Sequence, residues 1–103
     1  MRYALISYDN IFWNVDLRLF RTRTEAEKVM KEYFDGDLRV MLLRYTQVTT
    51  PLDYAAYANF CTVWVTKDSI EARFHRSEDQ FRYEIIEISP EDLQKAGIRE
   101  FSN

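Results

Sequence analysis

Three arginines in six residues, Arg18-Leu19-Phe20-Arg21-Thr22-Arg23, form the densest group in this chain that could grip phosphate. An aromatic ring sits between them, and a helix start at Thr24 follows directly. Helix N-termini favour anions. Arg18, Arg21 and Arg23 are therefore the candidate nucleic-acid residues. A plainer reading competes with this one. Arg18 would be the polar side of a strand, and the other two a solvated turn facing Glu25 and Glu27. The net charge of −3 and pI near 5.1 favour that reading.

The second group is aromatic. Tyr45, Tyr54 and Tyr57 lie near Phe60 and Trp64 in a chain that is 16% aromatic. Tyrosine and tryptophan bury much area with few rotatable bonds, so they are favoured at protein interfaces. The competing reading is a corner of the core. Trp64 falls among charges, with Glu71, Arg73, Arg82 and Glu84 on the same side of a predicted sheet. Trp64, Tyr54, Tyr57, Glu71, Glu84 and Asp68 are the candidate partner-binding residues.

Groups that would carry catalysis are sparse. His75 is the only histidine, and it ends a strand beside the polar turn Arg76-Ser77-Glu78-Asp79. A general base needs a nucleophile to serve, and no nucleophile motif accompanies it. Ser69, Ser77 and Ser89 occupy turns and a cap. Gly36 and Gly97 are the only glycines, too few for a phosphate-cradling or dinucleotide loop. Cys61 is the only cysteine, which excludes an intrachain disulfide and a cysteine zinc cage and fits a reducing compartment. Asp35 and Asp37 flank a glycine, but no calcium-loop spacing follows. No catalytic, cofactor or metal site is expected.

The elements that must position these residues can be read from periodicity. Cys61–Thr66, Ser69–His75 and Gln80–Ile88 alternate apolar and polar residues, the mark of half-buried strands. A two-residue turn at Lys67-Asp68 pairs Val65 with Ile70, Val63 with Ala72 and Cys61 with Phe74. A four-residue turn at Arg76–Asp79 would pair His75 with Gln80, Phe74 with Phe81 and Ile70 with Ile85. Both put one apolar face in line. Ile86 and Ile88 break the pattern by pointing to the charged side, which calls for a bulge or a covering element.

Arg2–Tyr8 and Phe12–Phe20 read as a hairpin. A turn at Asp9-Asn10 would pair Tyr8 with Ile11, Ile6 with Trp13 and Ala4 with Val15. The main helix is expected over Thr24–Asp35, capped by Thr24 with Glu27 or by Thr22 with Glu25. Ala26, Val29, Met30, Tyr33 and Phe34 form its apolar stripe, and Gly36 suits its end. Leu38–Val48 reads as a strand, with a buried helix segment as the alternative. Thr50-Pro51 and Ser89-Pro90 are start signals for two short helices, the second ending at Gly97 before a tail over Ile98–Asn103.

The order predicts a single α+β domain over residues 1–103. An antiparallel sheet of about five to six strands would carry one main helix and two short ones. With 47% hydrophobic and 30% charged residues the chain is globular. No run approaches the ~18 apolar residues of a membrane span. MRYALISYDN lacks the features of a secretory leader, so a cytoplasmic protein is expected.

The aromatic-rich hairpins and the closing run SIEARFHRSEDQFRYEIIEISPEDL give the chain a build that resembles short accessory proteins of bacteriophages and mobile elements, among them anti-CRISPR and other anti-defence inhibitors. That resemblance implies a non-enzymatic protein that binds and blocks a macromolecular partner, a protein or a nucleoprotein effector complex. An acidic surface from Asp68 to Asp92 would complement a basic nucleic-acid channel. Nucleic acid bound directly through the arginine group is the alternative. An edge strand left open would also let the chain pair with a copy of itself.

Overall fold

The computed structural model of the chain describes residues 1–11 and 15–95, the side chain of Leu93 apart. Five strands form one antiparallel sheet: β1 (Arg2–Asp9), β2 (Val15–Phe20), β3 (Cys61–Val65), β4 (Ser69–Phe74) and β5 (Gln80–Ile88). Their spatial order is β2-β1-β5-β4-β3. One long helix, α1 (Arg23–Leu42), packs on one face. A single 3-10 turn (Tyr54–Tyr57) and a short α2 (Pro90–Lys95) complete the described elements. The architecture is α+β, with five strands, within the expected five to six, and a main helix much longer than the sequence alone predicts.

The helix accounts for most of that difference. Thr22 is the cap, its hydroxyl accepting the Glu25 amide at 3.2 Å. The helix does not stop at Asp35. It continues through Gly36 to Leu42, because the apolar stripe continues: Ala26, Met30 and Phe34 are followed by Leu38, Met41 and Leu42, all buried. A helical glycine costs about 1 kcal/mol. Burying each large apolar side chain returns about 1.5–3 kcal/mol. Three such side chains outweigh one glycine, so the strand expected over Leu38–Val48 is instead the last turn and a half of helix and its exit.

Phe34 is the centre of the core. Its ring meets Phe81 at 5.1 Å, Tyr54 edge-on at 5.7 Å and Tyr83 edge-on at 6.5 Å. Leu5, Ile70, Ala72, Phe74 and Ile85 supply the sheet side of the same cluster. Tyr45 closes one corner by stacking on Phe60 and Phe74.

The β3–β4 register is the expected one, from Cys61 with Phe74 to Val65 with Ile70. Thr66 organises the turn, accepting the Ser69 amide at 3.0 Å. Two other pairings differ. Gln80 lies opposite Arg73, not His75, and Tyr83 lies opposite Ile70. Val15 lies opposite Tyr8 and Leu17 opposite Ile6, so Asp9-Asn10 is not the hairpin turn; Trp13 lies outside the described residues. Each slip is by an even number of residues, which leaves every side chain on its predicted face. Period-2 patterning is blind to such slips.

Particular hydrogen bonds decide both, one set within the loop and one between distant residues. Glu78 adopts a left-handed φ of 60°, and its amide donates to the Phe74 carbonyl at 3.0 Å. The loop is therefore closed by Phe74 and Asp79, one step earlier than expected. Asn10 is held by that same region: its side chain donates to the Glu78 carbonyl at 3.1 Å and accepts the Gln80 amide at 2.7 Å. β1 is thus fastened to β5 as far as Asp9, opposite Phe81. The β1–β5 register runs unbroken from Arg2 with Ile88, so no bulge shifts the phase at Ile86.

The Thr50-Pro51 start signal is also displaced. That peptide is cis, and Asp53 caps the 3-10 turn by accepting the Ala55 amide at 3.1 Å. At the other signal, Ser89 accepts the Asp92 amide at 3.2 Å and α2 follows. Its expected end at Gly97 and the tail lie outside the described residues.

Candidate interaction face

α1 covers the sheet face that carries Leu5, Ile85, Tyr83, Ile70 and Phe74. The other face is fixed by the same registers. Pairs in antiparallel strands point to the same side, so one row runs Val15–Tyr8–Arg82–Glu71–Trp64 across all five strands. The next row runs Leu17–Ile6–Glu84–Ser69, and a third runs Leu19–Ala4–Ile86. This open face has two halves. The β2–β1 side is apolar, and the β4–β3 side carries charges and Trp64.

Trp64 is 45% exposed, with no described layer over it. It lies opposite Glu71, which lies opposite Arg82. Arg82 pairs with Glu84 at 3.3 Å, and its Nε is buried without a hydrogen-bond partner. Arg73 is held along the sheet by the Gln80 amide oxygen at 2.9 Å. Acids and bases alternate here, so the face is neither an acidic plate nor a basic one. A shallow hollow of about 250 Å³ indents the turn end of this face, between Tyr8, Val15, Glu71, Gln80 and Arg82.

Three candidate residues, Trp64, Glu71 and Glu84, are therefore brought together. The others are not. Tyr57 is buried at 6% exposure, and its hydroxyl accepts the Thr49 amide at 3.0 Å, so the segment from Thr49 folds inward around it. Tyr54 lies on the helix side, against Phe34. Its hydroxyl bonds to Asp35 and accepts from Lys31 at 2.6 Å, while Lys31 lies 4.7 Å from the ring centre. Burial, then the hydrogen bond to Asp35, raises the Tyr54 pKa. For these tyrosines the core-corner reading prevails. Asp68 lies in the β3–β4 turn, ion-paired with Arg23.

The arginine group is dispersed as well. Arg18 projects to the helix side of β2, its guanidinium 5.5 Å from the rings of both Phe20 and Tyr33. Arg23 binds Glu27 at 2.8 Å and the Lys67 carbonyl at 2.9 Å, tying the start of α1 to the β3–β4 turn. Arg21 is also engaged. These cations hold the fold together, and they form no joint phosphate clamp.

The titratable groups considered for chemistry are occupied locally. His75 is exposed. Its Nδ1 faces the Asn59 carbonyl at 3.3 Å and its Nε2 the Thr62 hydroxyl at 2.8 Å. Burial raises the Cys61 thiol pKa and keeps it unreactive. Asp35 and Asp37 are bonded to Tyr54 and Tyr83, respectively. Among the described residues no group of three or more His, Cys, Asp or Glu side chains could hold a metal ion, and no helix is long and apolar enough to cross a membrane.

The sequence reading missed the apolar half of this face. Val15 and Leu17 look like core residues by alternation, yet they are 75% and 46% exposed. β1 is apolar on both sides, so it could meet the core through Leu5 or through Ala4 and Ile6; the structure uses Leu5. The signal that could have found this was Ile86 and Ile88. They point away from the helix because β1 and β2 continue an apolar strip there. Comparison with protein-family models, with curated proteins and with solved structures finds no match to this chain.

Proposed function

We propose that this is a non-enzymatic interaction protein that binds a protein partner across the open sheet face and inhibits or modulates it. The observation that carries the reading is the five-strand row with Tyr8 and Trp64 on either side of Arg82 and Glu71, uncovered by any described element. Tyrosine, tryptophan and arginine are the residue types enriched at interface centres. The mixed charges suit a protein surface better than a phosphate backbone. In this reading the protein is cytoplasmic, and the partner class is the one the sequence resemblance implies, a bacterial defence nuclease complex, with the chain acting as an anti-CRISPR-like inhibitor encoded by a phage or mobile element.

The test is inhibition of purified RNA-guided nuclease complexes. The chain is expected to suppress target cleavage by one of them, and Glu71→Arg to weaken suppression about tenfold by setting a like charge beside Arg82. Cleavage unaffected across the panel removes the nuclease reading. Inhibition that Glu71→Arg and Trp64→Ala both leave intact removes the open face.

A further inference from the structure

β2 is an edge strand, and reversing it keeps the apolar positions while exchanging the acid with the base. From Val15 to Leu19 the types run apolar, acid, apolar, base, apolar: Val15, Asp16, Leu17, Arg18, Leu19. We propose that this edge is a self-association site, where a second copy of this chain adds its own β2 antiparallel about a two-fold axis through Leu17.

Symmetry and charge select that register. A two-fold axis normal to the sheet keeps the helix faces of both copies on one side, so only alignments centred on a residue are allowed. Centring on Asp16 opposes the two Asp16 carboxylates. Centring on Arg18 opposes the two guanidinium groups. Centring on Leu17 sets Asp16 against Arg18 of the second copy, twice, and sets Val15 against Leu19. Like charges directly opposite destabilise a strand pair, and unlike charges stabilise it.

The backbone is prepared for the same exchange. The Leu17 amide donates to the carboxylate of its neighbour Asp16 at 2.9 Å. Such a bond places that amide on the outer side of β2, covered by a side chain instead of a strand. On association the amide passes to the Leu17 carbonyl of the second copy, and the Asp16 carboxylate turns to Arg18 of that copy. Ordinary surface leucines and valines carry no such meaning singly. Here Val15 and Leu17 are exposed on the edge of a strip that continues through Ile6 and Ala4. Joining two edges makes that strip continuous across a ten-stranded sheet and leaves Trp64 free at each end.

Sedimentation equilibrium of the full chain at low salt tests this. The wild type is expected at twice the monomer mass of 12.4 kDa. Asp16→Arg and Leu17→Lys should each raise the dimer dissociation constant about tenfold or more, since each sets like charges across the axis. An equimolar mixture of Asp16→Arg with Arg18→Asp should recover the dimer. Asp16, Leu17 and Arg18 are all exposed, and circular dichroism checks that the three variants fold, Arg18→Asp included, since it gives up the ring contacts to Phe20 and Tyr33. A wild type that stays monomeric at its highest soluble concentration overturns the proposal. So does a dimer indifferent to both Asp16→Arg and Leu17→Lys.

Discussion

Gly36 has nothing within 4 Å of where a Cβ would stand, and it lies inside α1 on the exposed side. Its backbone freedom is used for no turn or close approach. Gly36→Ala should therefore stabilise the fold by about 0.5–1 kcal/mol, read as a shift in the urea midpoint. Loss of stability would mean that the helix bends or ends there. Tyr83 makes a second prediction at this scale. Burial, then its hydrogen bond to Asp37, raises its pKa. In the unfolded chain a tyrosine loses its proton near about pH 10. Above that pH the folded state holds more protons than the unfolded one, so stability must fall as pH rises. Tyr54, Cys61 and Lys31 are shifted upward too and act in the same direction; for Lys31 burial works against its charge, but the bonds to Asp35 and Tyr54 outweigh it. Urea midpoints should drop between about pH 9 and 11, and Tyr83→Phe should flatten the drop while costing about 1 kcal/mol at neutral pH. An unchanged slope would contradict the account.

At the scale of elements, what was legible was whatever apolar spacing alone decides. The α1 stripe as far as Phe34, Thr22 as one of two candidate caps, the Lys67-Asp68 turn and the two faces of the meander follow from residue types a few positions apart. The two hairpin registers did not, because slips of two or four residues keep every side chain on its face. The β4–β5 register was set by the left-handed turn at Glu78, and that of the first hairpin by contacts between residues about seventy positions apart, Asn10 with Glu78 and Gln80. No local pattern encodes a staple of that kind. Nor does local sequence say which side of a doubly apolar β1 meets the core, and this is why the candidate face was legible at Trp64, Glu71, Glu84 and Ile86 but not at Tyr8 or Leu17. Asn10→Ala should remove two bonds and cost about 1–2 kcal/mol. Hydrogen exchange should then speed up at Asn10 and Gln80 before it does at the β3–β4 pair. Uniform exchange across both hairpins would show that Asn10 does not fasten β1 to β5.

For the whole molecule, the division of labour is between two sheet faces. The helix face is closed by aromatic packing around Phe34, with Tyr54 and Tyr83 bonded to Asp35 and Asp37. The open face offers an apolar strip towards β2 and the Arg82–Glu71–Trp64 run towards β3. Two contacts can then be made without competing: a copy of the chain at the β2 edge and a partner at the β3 side. Two variants of exposed residues separate the faces. Trp64 stands on the open face, and Val40 stands on the outer side of α1, also exposed. The most direct measurement is the dissociation constant of the inhibited nuclease complex for wild type, Trp64→Ala and Val40→Ala. The open-face account predicts at least about a tenfold loss for Trp64→Ala, the size of an interface anchor, and none for Val40→Ala. A loss confined to Val40→Ala would place the partner on the helix side and contradict it.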